Sequence, residues 1–95
     1  MKEYNFYEFY EDDQKIKIYC DDIQKYFELN YDIIINSMDF DENQNVVLYI
    51  EDTLNKVESS NLEKKLLKDI EHLSDVEVRN MKIVFTFECD KIELF

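Results

Sequence analysis

The chain runs for 95 residues without a single glycine or proline. Every reversal of its backbone must be made by residues that carry a β-carbon. Where a turn needs φ > 0, the residues expected to take it are Asn, Asp, Ser or Lys. The same absence removes whole classes of function. Glycine-rich phosphate cradles are excluded, in P-loops and in dinucleotide-binding turns alike. A nucleophile elbow of the G-x-S-x-G kind is excluded too.

The apolar residues change period several times, and this sets the element order. "EYNFYEFY" (Glu3–Tyr10) places five aromatics in seven residues. As a strand it puts Tyr4, Phe6 and Tyr10 on one face with Glu8, and Tyr7 and Phe9 on the other. "EDDQ" then turns, and "KIKIYC" alternates with Ile16, Ile18 and Cys20 inward. "DDIQKYFELNY" switches to helical spacing through Ile23, Tyr26, Phe27 and Tyr31, with Asp21 or Asp22 as cap and Asn30 near the C-terminus. "DIIINSMDF" returns to strand, with Ile34, Asn36, Met38 and Phe40 on one face. After the polar "DENQN", Val46, Leu48 and Ile50 face the core while Val47, Tyr49 and Glu51 face away.

A second helix carries Leu62, Leu66, Ile70 and Leu73 on one stripe. Ser60 and Glu63 have capping-box spacing at its start. In "VEVRNMKIVFTFEC" the apolar phase slips at Arg79–Asn80, which predicts a turn or bulge. Asp90–Lys91 permits a short hairpin into "IELF". The order is ββαββαβ(β), and the expected architecture is α+β: an antiparallel sheet with two helices on one face. A chain of this length forms one domain, 1–95, and buries about 60–65% of its unfolded surface.

Metal chemistry finds little support. In "MDFDENQNVVLYIED" the acids and amides alternate as in a calcium loop. Counted from Asp39, however, the sixth position is Gln44 rather than Gly, and the twelfth is Ile50 rather than Glu. One histidine and two distant cysteines do not make a zinc set. His72 reads as a boundary residue near the end of the second helix. The serines Ser37, Ser59, Ser60 and Ser74 read as strand, cap and helix-end residues. No metal, no cofactor and no enzymatic activity is expected.

Charge points elsewhere. The net charge is −12, from 23 acids and 11 bases. This exceeds the magnitude of about 2–8 that keeps a small domain soluble. It repels nucleic acid and anionic membrane, and it attracts basic surfaces. The excess is uneven: residues 1–52 carry 14 acids and 4 lysines, and no base occurs between Lys25 and Lys56. The candidate partner-binding acids are Asp39, Asp41, Glu42, Glu51 and Asp52, with Glu11, Asp12, Asp13, Asp21 and Asp22 as a second group. Alternate strand residues lie about 6.6–6.8 Å apart on one face. That is close to two phosphate steps of about 3.4 Å each along a duplex strand. The abundant tyrosines, Tyr49 among them, suit a protein interface.

By size, acidity and α+β pattern the whole chain resembles the small phage- or virus-encoded inhibitors of bacterial defence, especially anti-CRISPR proteins, some of which mimic nucleic acid. The resemblance implies a cytoplasmic protein of a bacterial or archaeal host cell. Its partner would be a basic nucleic-acid-binding protein, such as a CRISPR effector or nuclease, with no direct contact to nucleic acid or membrane. The profile also resembles immunity proteins and antitoxins that block basic nucleases, which is the alternative reading. A third reading is a homodimer or larger assembly built on the "YNFYEFY" strand. Cys20 and Cys89 are expected as reduced, small apolar residues on strands, because the acidic N-terminus lacks the features of a signal peptide.

Overall fold

The computed structural model describes residues 5–95. The strand expectation at Glu3 and Tyr4 falls outside them. β1 (Tyr7–Tyr10), β2 (Lys15–Ile18), α1 (Cys20–Tyr31), β3 (Ile35–Phe40), β4 (Val46–Ile50), α2 (Lys56–Asp69), β5 (Leu73–Arg79), β6 (Lys82–Phe87) and β7 (Lys91–Leu94) follow in chain order. The class is α+β and the order is the one the periodicity predicts.

The strands divide between two sheets. One has the order β3-β4-β6-β5 and is antiparallel throughout. The other has the order β1-β2-β7. In it β7 runs parallel to β2, with Lys91 opposite Lys15 and Leu94 opposite Ile18. The expected hairpin at Asp90–Lys91 therefore does not form. The chain leaves β6 and crosses to the other sheet, where Ile92 and Leu94 join the core beside Ile16 and Ile18.

The core lies between the sheets and both helices. Phe27 of α1 is wholly buried, with its ring centroid 6.1 Å from Phe85 and 6.5 Å from Phe6. Leu62 and Leu66 of α2 meet the same cluster as Leu48 and Ile83. Burying each such side chain stabilises the fold by roughly 1.5–3 kcal/mol. Val46, Leu48 and Ile50 join the core and Tyr49 lies outward, as alternation requires, while Val47, expected to face away, is buried too but lies outside the core cluster.

Several local expectations are corrected. A register irregularity between Ile35 and Ser37 shifts the β3 phase. Ile35 is therefore buried, while Ile34 is 52% exposed and Asn36 is exposed. α1 starts one residue earlier than Asp21: Tyr19 is its N-cap, without a side-chain bond, and Asp21 and Asp22 sit in the first turn. There they still favour the positive end of the helix. Cys20 thus opens a helix rather than ending a strand, and Cys89 follows β6. Both are free thiols.

Asp32, not Asn30, takes the left-handed position that ends α1, at φ 55°. The α2 capping box is Asn55 with Glu58. Asn and Ser cap about equally well, and starting at Asn55 lets the helix satisfy more backbone groups than starting at Ser60. Leu73 belongs to β5 rather than to α2.

Without glycine, six of the described residues hold positive φ: Gln14, Asp32, Gln44, His72, Asn80 and Met81. Asp and Asn tolerate this region. Gln14, Gln44, His72 and Met81 hold it too, outside the expected set of Asn, Asp, Ser and Lys. Asn80 and Met81 form the two-residue turn between β5 and β6, with φ of 51° and 62°. Positive φ at both central positions is the type I′ arrangement that matches strand twist.

Candidate partner-binding surface

Two acidic turns are placed by strand register. Val46 pairs with Phe85, so the β3–β4 tip at 41–45 reaches past it toward the end of β6 at Phe87. From that end residues 88–90 cross to β7. The pairing of Lys91 with Lys15 sets them beside the β1–β2 turn at 11–14. The Cys89 thiol donates to the carbonyl of Gln14 and seals this junction. The two turns therefore flank one crossover at one end of the molecule.

Glu11, Asp12, Asp13 and Glu42 are exposed there. So are Glu88 and Asp90 on the crossover itself. These last two escaped the sequence reading, because they sit in the half of the chain where charges nearly balance. Only the parallel placement of β7 brings them to the acidic turns. Nearby Lys15 is engaged by Glu93 at 3.4 Å.

Not every acid at this end is free to meet a partner. Asp41 Oδ1 accepts the backbone N–H groups of Asn43 (2.8 Å) and Asn45 (2.9 Å). It organises the turn in the way Asx side chains do. Asp39 lies one step back on β3, exposed, and its Oδ1 accepts the N–H of Phe40 at 2.7 Å. Asp39 opposes Val47, whose neighbour on β6 is Val84, followed by Glu77. Tyr49 stands on the same outer face, with the Lys82 ammonium 5.7 Å from its ring centroid.

The remaining candidates sit elsewhere. Glu51 and Asp52 follow the opposite end of β4, where Ile50 N–H donates to the Met81 carbonyl at 2.9 Å. Asp21 and Asp22 follow the opposite end of β2 from the acidic turn. Asp52 borders a cavity of about 420 Å3 between the end of α1 and the start of α2, with Tyr31, Asp32, Leu54 and Leu62. Its Oδ2 is sealed from solvent without a hydrogen-bond partner.

A second polar cluster covers the outer face of the three-stranded sheet. Glu8 accepts the hydroxyls of Tyr10 (2.8 Å) and Tyr19 (2.9 Å). These bonds hold the Glu8 carboxyl below its usual range. The same bond from Glu8 pushes the Tyr10 hydroxyl up to about 12. The Lys17 ammonium sits over the rings of Tyr10 and Phe95.

Among the described residues no group of three His, Cys, Asp or Glu side chains is arranged to hold a metal. His72 lies past α2 in a left-handed turn, stacked on Phe9 with centroids 4.0 Å apart. Among the described residues no helix is long and apolar enough to cross a membrane. Comparison of the chain with protein-family models, with curated proteins and with solved structures finds no match.

Proposed function

We propose that the protein is a non-enzymatic inhibitor that seats its acidic end on the nucleic-acid site of a basic protein, such as a CRISPR effector or a nuclease of a similar defence system. The observation that supports this reading is the meeting of the 11–14 and 41–45 turns at the crossover through Glu88 and Asp90. Carboxylates gathered on turns project further than those on a flat strand and can follow a groove built for phosphates. They draw in a basic partner over long range and displace its counterions. Tyr49 stands toward the opposite end of β4, opposite Lys82, and Asp39 is engaged with the Phe40 N–H, so neither is counted in this contact.

The test is capture from host lysate followed by elution in a salt gradient. The expected eluate is a basic nucleic-acid-binding protein that leaves at moderate salt. A paired assay measures nucleic-acid binding by the captured protein with wild type and with Asp12→Lys/Glu42→Lys/Asp90→Lys. All three positions are exposed, and their side chains hold no part of the fold together. The triple variant is expected to stay folded and to stop inhibiting. Full inhibition by the folded variant overturns the assignment of the surface.

A further inference from the structure

The sheet edges differ in how they are finished. On β3 the Phe40 N–H is taken by Asp39, and on β5 the Val78 N–H is taken by Glu63 at 2.8 Å. On β1 the Tyr7 N–H is met by Asn5 Oδ1 at 3.4 Å. On each of these edges a side chain thus occupies one backbone donor that a further strand would use. The edge of β7 has no such cover among the described residues.

The free groups on β7 follow from alternation. Phe95 N–H donates to the Ile18 carbonyl (2.8 Å), and the Phe95 carbonyl accepts from Cys20 N–H (2.7 Å). Residues 91, 93 and 95 therefore turn their backbone groups to β2, and Ile92 and Leu94 turn theirs outward. Charge is also least adverse here. In a chain of net charge −12, the outer face of this sheet carries Lys15, Lys17 and Lys91 against Glu8 and Glu93.

We infer that β7 is a dimer edge, and that its occupant is β7 of a second copy, antiparallel and centred on Ile92. This register joins the two outward-facing Ile92 backbones by a pair of N–H···O bonds. It sets Lys91 of each copy opposite Glu93 of the other, twice, as two-fold symmetry demands. Centring on Glu93 would oppose two carboxylates. Centring between Ile92 and Glu93 would leave both charges facing aliphatic side chains. The product is a continuous six-stranded sheet, with Asp90 of each copy opposite Leu94 of the other. The dimer does not rest on the inhibitor reading: the two surfaces share only the margin at Asp90, and they have different assays.

The experiment is sedimentation equilibrium of the full chain over a concentration series, at near-physiological and at high salt. Wild type is expected to dimerise, more readily at high salt, because screening removes the repulsion between distant acids before it weakens close pairs. Lys91→Glu and Glu93→Lys, each alone, are expected to weaken the dimer about tenfold, since each turns both cross-strand pairs repulsive. Mixed in equal amounts, the two variants are expected to recover it as a heterodimer. Circular dichroism checks that each variant is folded. A wild type that stays monomeric throughout, or a Lys91→Glu variant that dimerises as well as wild type, overturns the proposal. So does a wild-type dimer that the mixed variants fail to reproduce.

Discussion

Glu63 of α2 reaches the edge of the larger sheet and accepts the backbone N–H of Val78 at 2.8 Å. Val78 is opposite Ile83, one step from the Arg79–Lys82 pair that closes the two-residue turn, so its N–H points away from β6. One carboxylate therefore fastens α2 to β5 and caps one donor of a strand edge. Removing the acceptor in Glu63→Ala is expected to cost about 1–3 kcal/mol, the penalty for a part-buried donor left unpaired. Glu63→Gln keeps an acceptor oxygen and is expected to cost less. Urea midpoints of the three proteins check the order, and equal midpoints for Ala and wild type would show that the bond adds nothing.

Met81 sits at φ 62° in the turn between β5 and β6, where a β-carbon is crowded. Met81→Gly turns Asn80–Met81 into the Asn-Gly pair that such turns favour. The side chain is 47% exposed, so little packing is lost. A stabilisation of about 0.5–1 kcal/mol is expected, the left-handed strain less the entropy of glycine. Thermal unfolding measures it, and a lower midpoint for the glycine variant would contradict the turn assignment.

Asp41 and Glu42 are adjacent acids with separate roles. Asp41→Ala removes the acceptor for two backbone N–H groups and is expected to destabilise the domain by about 1–2 kcal/mol. Glu42→Ala is expected to stay within about 0.5 kcal/mol of wild type, as an exposed substitution away from special features. A chemical denaturation series on both variants separates these outcomes. The distinction governs mutagenesis of the acidic end, where a change at Asp41 confuses lost binding with a lost turn.

Phe27 joins α1 to both sheets through Phe6 and Phe85. Phe27→Ala is expected to cost about 3–5 kcal/mol, from lost transfer energy and the cavity left behind. Phe27→Leu is expected to retain much of this. Denaturant midpoints that fail to separate the two would mean that the site collapses without a cavity.

The Tyr31 hydroxyl is half-buried, lies 3.3 Å from the Tyr26 hydroxyl and donates to Asp69 at 2.8 Å. Burial first, then these two hydrogen bonds, raise its pKa well above the ordinary tyrosine value of 10.0. The folded state thus favours the protonated hydroxyl. Its contribution to stability is complete below pH 10 and is lost progressively at higher pH, as the unfolded chain ionises first. Tyr31→Phe is expected to flatten the alkaline fall in unfolding midpoint. An identical fall in both proteins would assign it to other groups.

Much of the fold was legible in the order of polar and apolar residues. Alternation located β2, β4 and β6, and the 3.6-residue stripe through Ile23 and Phe27, and through Leu62 and Leu66, located both helices. Capping was less legible, because Asn55 and Ser60 each precede a glutamate at the correct spacing and a local rule cannot rank them. The β3 bulge was not legible either. "DIIINSMDF" supports two phases, and pairing with β4 selects the one that buries Ile35.

The sequence by itself determined the element order, the alternation that builds the core, and a negative charge concentrated before residue 53. Those properties are local or additive, so periodicity and counting reach them. Tertiary structure decided that β7 leaves β6 and pairs with β2, since that choice depends on burying Ile92 and Leu94 against residues far away in the chain. That one pairing brings Glu88 and Asp90 to the acidic turns, while strand direction sends Glu51, Asp52, Asp21 and Asp22 to other ends. It also decided which carboxylates are spent on backbone donors, as at Asp41, Asp39 and Glu63. A charge count cannot distinguish those from the ones left for a partner, because the difference lies in where the nearest N–H points.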